Sequence, residues 1–405
     1  MASGWSRFTV AMGPLTVLAV AQLQPGAAHA QKTITGTGTT QVDLQQPASF
    51  GTYTVTGDPT STLVNFVGTA SVPLIEAVTD GGSANPYTLI NSGTIHTTGA
   101  MAAGVSLSSA GTGSTVINHG LIVGGSNGDG IRIGGPGAVV RNQGNIQGGT
   151  NGVLLGLGGT VTNLSHAAIG ASAGHGVTIV NQSGNVANAG TISGSLIGVL
   201  LDAGGNVANG STDGGTTVTP GARITGGTHG LWIGGSGGTV INHAGGTIEG
   251  NGNAGITIAG TSGTVDNRGA VNGMEDGIRL NNVGTVINSG VVRGVTSSGI
   301  TLSNGGLVRN DAPTSDVQGN LHGVLLANGG TVAHLGGRIA AQAGNGVHRQ
   351  PRHDSGRGQC RAVPHRQQHA GVARRLGHDR GAAHGLRRRS RDGVRGRGHQ
   401  RGAVV

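Results

Sequence analysis

The chain has a single cysteine, Cys360, in 405 residues, and only seven aromatic residues. One cysteine excludes a disulfide-framed fold and a multi-cysteine zinc site. Seven aromatics (Trp5, Phe8, Phe50, Tyr53, Phe66, Tyr87 and Trp232) cannot furnish the girdles of a transmembrane barrel. Proline is scarce, at 11, and glycine lacks a one-in-three period, which excludes a collagen triple helix. What is abundant is glycine, 84 residues. Each glycine inside a helix costs about 1 kcal/mol relative to alanine, so a helical fold is excluded too.

The net charge of +9 is unevenly placed. Residues 1–347 carry a net −3, whereas residues 348–405 hold 15 Arg and 3 Asp. A basic balance normally points to nucleic acid. Here it describes the tail alone, and the mildly acidic body is expected to bind no nucleic acid.

The first thirty residues read as an export signal. Arg7 supplies the charge, Phe8–Leu23 the broken apolar run, and Ala28-His29-Ala30 a small-x-small cleavage site before Gln31. The run is too short and interrupted to span a bilayer, and no second one follows.

From residue 86 a phrase repeats. Val-x-Asn is followed by Gly and Ile, then by Gly and alternating apolar residues, as in Thr115-Val-Ile-Asn-His-Gly-Leu-Ile122 and Gly130-Ile-Arg-Ile133. The asparagines are Asn91, Asn118, Asn142, Asn163, Asn188, Asn209, Asn242, Asn267, Asn288 and Asn310, and His334 takes the eleventh place. Spacings run from 21 to 33 residues. Such a period marks a solenoid. The pieces alternate with period two, which is strand periodicity.

The middle place of Gly-Ile-Arg-Ile takes Arg132, Thr178, Thr257, Arg279 or Thr301, and is expected to face solvent. The middle place of Val-x-Asn takes Arg141, Asp266 or Arg309, which turns Val and Asn inward. Three short strands per repeat, always in the same direction, suit an all-β, right-handed parallel β-helix of about eleven coils, roughly 50 Å long. Corner glycines would supply positive φ. An inward amide needs a partner, and stacked coils supply one, so the asparagines are expected to form an amide-to-amide ladder. Residues 31–85 lack the phrase, and strands at 52–56 and 63–67 are expected to cap the N-terminal edge.

The leader, the glycine-rich solenoid and copies such as Gly284-Thr-Val-Ile-Asn-Ser-Gly-Val-Val292 together resemble the passenger region of bacterial autotransporters, of pertactin-like and adhesin type. The resemblance covers residues 1–347. It implies a surface adhesin or stalk, not an enzyme, with a host surface protein or glycan as partner and display at the outer membrane. The family crosses that membrane through a C-terminal barrel, and no such barrel is expected in these 405 residues. The chain as written is therefore expected in the periplasm, and its uncapped last coil is expected to self-associate.

Residues 348–405 read as a shifted frame. In a GC-rich gene Gly-Gly-Thr-Val, coded GGC GGC ACC GTC, becomes Arg-His-Arg when read two bases later. The alternative is a genuine disordered Arg/Gly tail, as Arg395-Gly-Arg-Gly398 suggests.

The rival function is a β-helical polysaccharide lyase or hydrolase, which needs clustered carboxylates. The acids from Asp43 to Asp316 are scattered along the body. Gly174-His175-Gly176 resembles the Gly-His-Gly of polygalacturonases but lies on the repeat's own corner. Glu275-Asp276 is the one adjacent acid pair and reads as a solvated turn. Ser126-Asn127-Gly128-Asp129-Gly130 resembles a calcium repeat but is not tandem. Trp232 takes an outward place, as a sugar or protein contact or as an isolated surface aromatic. No catalytic, cofactor-binding or metal-ligating residue is expected.

Overall fold

The computed structural model describes residues 86–349, apart from 98, 108–112 and 214–216, together with strand segments between residues 31 and 79 whose side chains are not described. Residues 1–30 and 350–405, where the sequence places the leader and nearly all of the arginine-rich tail, lie outside the described residues.

Among the described residues every coil holds three short strands and no helix. The first strand runs from Thr88–Asn91 in the first coil to Thr331–His334 in the last. The second runs from Thr94–Thr97 to Arg338–Ala341, and the third from Val105–Leu107 to Asn345–Arg349. Each occurs eleven times. Coil stacks on coil in parallel, giving three sheet faces around one narrow interior. Register is kept along the stack: Asn118 faces Asn142, Ile146 faces Ile169, and Val177 faces Val199. Slipping one strand by a residue would turn its apolar set to solvent, so burial of one face locks the register.

The interior is aliphatic. Val116, Val140, Ile146, Val161, Ile169 and their equivalents are fully buried. Valine, isoleucine and leucine fill it because a coil of three four-residue strands leaves little room for rings. Tyr87 is the one aromatic side chain in the described core, at its N-terminal end.

The inward asparagines form a continuous ladder. Asn91 Nδ2 donates to Asn118 Oδ1 at 2.7 Å, and Asn118 donates to Asn142 at 2.8 Å. The chain continues through Asn163, Asn188, Asn209, Asn242, Asn267 and Asn288 to Asn310. All ten are fully buried. Each amide also donates to backbone carbonyls at its turn, as Asn267 does to Gly269 and to Val291 of the next coil. Oδ1 accepts from the backbone N–H two residues on, as in Gly144 and Gly190. The asparagine thus ties its own turn and the next coil together. At the far end Asn310 Nδ2 faces His334 Nδ1 at 3.5 Å.

The repeated glycine that opens the third strand does a different job from the one expected. Gly130, Gly152, Gly176, Gly198 and Gly230 do not have positive φ. A Cβ on Gly198 would lie 2.6 Å from the carbonyl oxygen of Gly230 and 2.7 Å from Ile224 Cγ2. Close stacking of one backbone on the next, not a left-handed turn, excludes a side chain there. Positive φ is found instead at the corners on either side of the first strand, as at Gly204 and Gly305 before it and Gly210 and Gly245 after it.

The N-terminal strands prolong the stack. Gln31–Gly38 lies parallel on Leu63–Val72, which lies parallel on both Thr88–Asn91 and Thr94–Thr97. Among the described strands only Tyr53–Val55 is antiparallel, in a hairpin with Ala48–Phe50. At the other end His348 and Arg349 continue the last described strand opposite Leu325 and Leu326.

Asn267→Leu strips a donor from Asn288 and an acceptor from Asn242 in a dry interior, and is expected to destabilise the fold by about 1–3 kcal/mol for each group left unpaired. Asn206→Leu breaks only an exposed Asn206–Asn185 contact and is expected to change stability by about 0.5 kcal/mol or less. Urea unfolding of the two variants measures the difference.

Candidate functional site

The outward places of the third strands form a column, and two of its members are unusual for a solvent face. Trp232 is in register with Thr257, and Thr257 with Arg279. Thr301 and Leu325 continue the line. Thr178, Thr257 and Thr301 were expected to face solvent, yet all three are buried. They do leave the sheet on its outer side. Longer neighbours in register shield them: Leu154 and Leu200 around Thr178, Trp232 and Arg279 around Thr257, Arg279 and Leu325 around Thr301. The hydroxyl of Thr178 donates to Asn151 Oδ1 at 2.6 Å, whereas those of Thr257 and Thr301 have no partner.

Trp232 is not isolated. It is half-buried, and the ring of His229 meets it edge-on with centroids 5.0 Å apart and planes at 90°. Such an edge contact is favoured by the ring quadrupoles. Two coils on, Arg279 is held by both members of the acid pair. Its Nε lies 2.7 Å from Asp276 Oδ2, and its Nη2 lies 2.9 Å from Glu275 Oε2. Its Nη1 reaches Asn253 Oδ1 at 3.3 Å. Glu275-Asp276 is a turn, as expected, but only Glu275 is solvated. The Asp276 side chain is 3% exposed and accepts the Ser298 backbone N–H at 2.9 Å. The Ser298 hydroxyl beside it is buried without a partner.

Burial lowers the pKa of His229 from its usual 6.5, with the Arg279 charge adding to the effect and Glu275 opposing it. Burial would likewise lower Arg279, but Asp276 and Glu275 outweigh it and leave the guanidinium more firmly charged. The site therefore presents, at neutral pH, an aromatic ring, an uncharged imidazole, and a cation between two carboxylates.

The other singled-out residues do not join it. His175 is half-buried at the start of its own strand, its Nδ1 without a partner and its pKa lowered by burial. Asp129 is bound by Arg132 Nε at 2.7 Å and Asn151 Nδ2 at 2.8 Å, so its carboxylate is already satisfied. Among the described residues no group of three or more His, Cys, Asp or Glu converges to hold a metal ion. Asp266 pairs with Arg268, Glu249 with Arg223, and Asp311 with Arg309. These pairs belong to different strands and corners of the coil. Sequence reading had each member of the Trp232 group except His229, Asn253 and Arg279's role, and missed their convergence. The signal was there: aligning the copies places Trp232 and Arg279 at one repeat position two coils apart.

No protein-family model matches the chain, and neither does any curated protein or solved structure.

His175, His229, His243 and His322 all have lowered pKa, chiefly through burial. The unfolded chain therefore takes up protons first, and stability is expected to be full above pH 6.5 and to fall as the pH drops below it. Urea midpoints at pH 7.5 and 5.5 should show this loss, and His229→Gln should make it smaller.

Proposed function

We propose that the chain is an exported, autotransporter-like passenger segment that acts at the cell surface by adhesion, as an adhesin or stalk, without catalysis. The observation that supports this most is the disposition of its carboxylates. Glycoside hydrolysis needs two carboxyl groups flanking one bond, one of them able to hand over a proton. Here the described acids on strands and corners are spread around the coil, and Asp129, Glu249, Asp266 and Asp311 are each tied to a neighbouring arginine. The one adjacent pair shares Arg279. A long regular stack with neutralised acids suits presentation of a surface more than turnover.

The second reading, a polysaccharide lyase or hydrolase, draws on a specific feature as well: Glu275, Asp276, His229 and Trp232 lie on the same side of neighbouring coils. One experiment separates the two. The purified chain is incubated with polygalacturonate and with mixed polysaccharides, and reducing ends and unsaturated products are followed; its binding to host-cell and glycan-coated surfaces is measured in parallel. Saturable binding with no product is the expected result. Product formation that Glu275→Gln abolishes would establish the enzyme instead.

A further inference from the structure

We propose that the column from Trp232 to Arg279 is a docking site for an uncharged sugar of an extended glycan. The inference rests on the adhesive reading and names the ligand class and the place. Trp232 is the only tryptophan of residues 86–349, and it sits on an outer face, where an aromatic ring offers its flat side to the C–H face of a sugar. One to two coils along the stack from it stand planar polar groups suited to vicinal hydroxyls: the Asn253 amide, the Glu275 carboxylate, 43% exposed, and the Arg279 guanidinium. Because Arg279 is already gripped by two acids, it is fixed in place and cannot swing over the ring.

A second, independent feature points the same way. Thr257 lies in register between Trp232 and Arg279, is 1% exposed, and leaves its Oγ1 without a partner. A buried hydroxyl without a partner costs stability. A sugar hydroxyl that moves the Trp232 ring aside would supply the missing bond. The charge selects among sugars. Glu275 and Asp276 outnumber Arg279, and the depressed His229 adds no positive charge at neutral pH. Uronic acids and sulfated sugars are therefore disfavoured. Coils repeat every 4.8 Å or so, so Trp232 and Arg279 are about 10 Å apart, which suits a chain lying along the stack rather than a single ring.

The test uses the full chain with Trp5→Phe, which leaves Trp232 as its sole tryptophan. Chitohexaose, cellohexaose and mannohexaose are titrated against its fluorescence, with hyaluronan hexasaccharide as the acidic control and a lysine-rich peptide as the protein control. At least one neutral hexasaccharide is expected to shift the emission saturably, and neither control should. By calorimetry Trp232→Ala should weaken that binding about tenfold or more, roughly 1.4 kcal/mol. Thr257→Val removes the unpaired hydroxyl and should keep or raise the melting temperature while still weakening binding several-fold. A shift with hyaluronan or the peptide, or none with any neutral sugar, overturns the site. If Trp232→Ala and Thr257→Val bind glycan as the parent does, the site is wrong and adhesion stands. If the parent binds no glycan and no cell surface, the adhesive reading itself falls.

Discussion

A buried primary amide has two donors and an acceptor that must all be satisfied, and in this chain that requirement recurs in ten successive coils. The ladder from Asn91 to Asn310 meets it by making each coil the hydrogen-bond partner of the next. Register, stacking distance and strand direction follow from it. If one coil slipped, its amide would leave the line and two neighbours would lose partners inside a dry interior. The aliphatic core supplies most of the favourable burial, but valine and isoleucine tolerate small shifts. The amides do not, because a hydrogen bond is directional. All rungs donate the same way, each Nδ2 toward the following coil. A short exposed row, Asn328 to Asn304 to Asn282, donates in the opposite sense. That row lies at a solvated corner, where water can replace any rung.

Backbone closeness is the companion constraint. The glycine column that opens the third strands lets successive backbones approach until a Cβ would meet the next carbonyl. A solenoid with so little cross-section has to keep its strands near one another to enclose anything at all. Glycine content thus reflects stacking as much as turning, and the left-handed glycines stand at the corners on either side of the first strand.

The strands, their direction and the ladder were legible because they are local and repeated. Asn242 in Gly238–Asn242 and Asn288 in Val283–Asn288 carry the same message as Asn142 in Val139–Asn142. Inward and outward places were legible too, wherever substitution with arginine or aspartate marked them, as at Arg141 and Asp266. What could not be read was shielding between coils. Thr257 looks like any outward threonine until Trp232 and Arg279 are placed on either side of it. Likewise Asp276 looks solvated until Arg279 folds back on it and Ser298 donates from the next coil. Apart from Arg279 on Asp276, these contacts join residues 22 to 25 positions apart and depend on repeat lengths that vary. The third-face site is therefore a product of the stack, visible only once the coils are aligned.

The account as a whole stands on the ladder being a real, closed chain of hydrogen bonds. Side-chain amide hydrogen exchange reads it directly. In a uniformly ¹⁵N-labelled chain, the Nδ2 protons of Asn142, Asn188, Asn242 and Asn288 should exchange only as fast as the stack unfolds, and together. Those of Asn282, Asn304 and Asn328, at the exposed corner, should exchange far sooner. Ladder amides that exchange as quickly as the exposed ones would contradict the account.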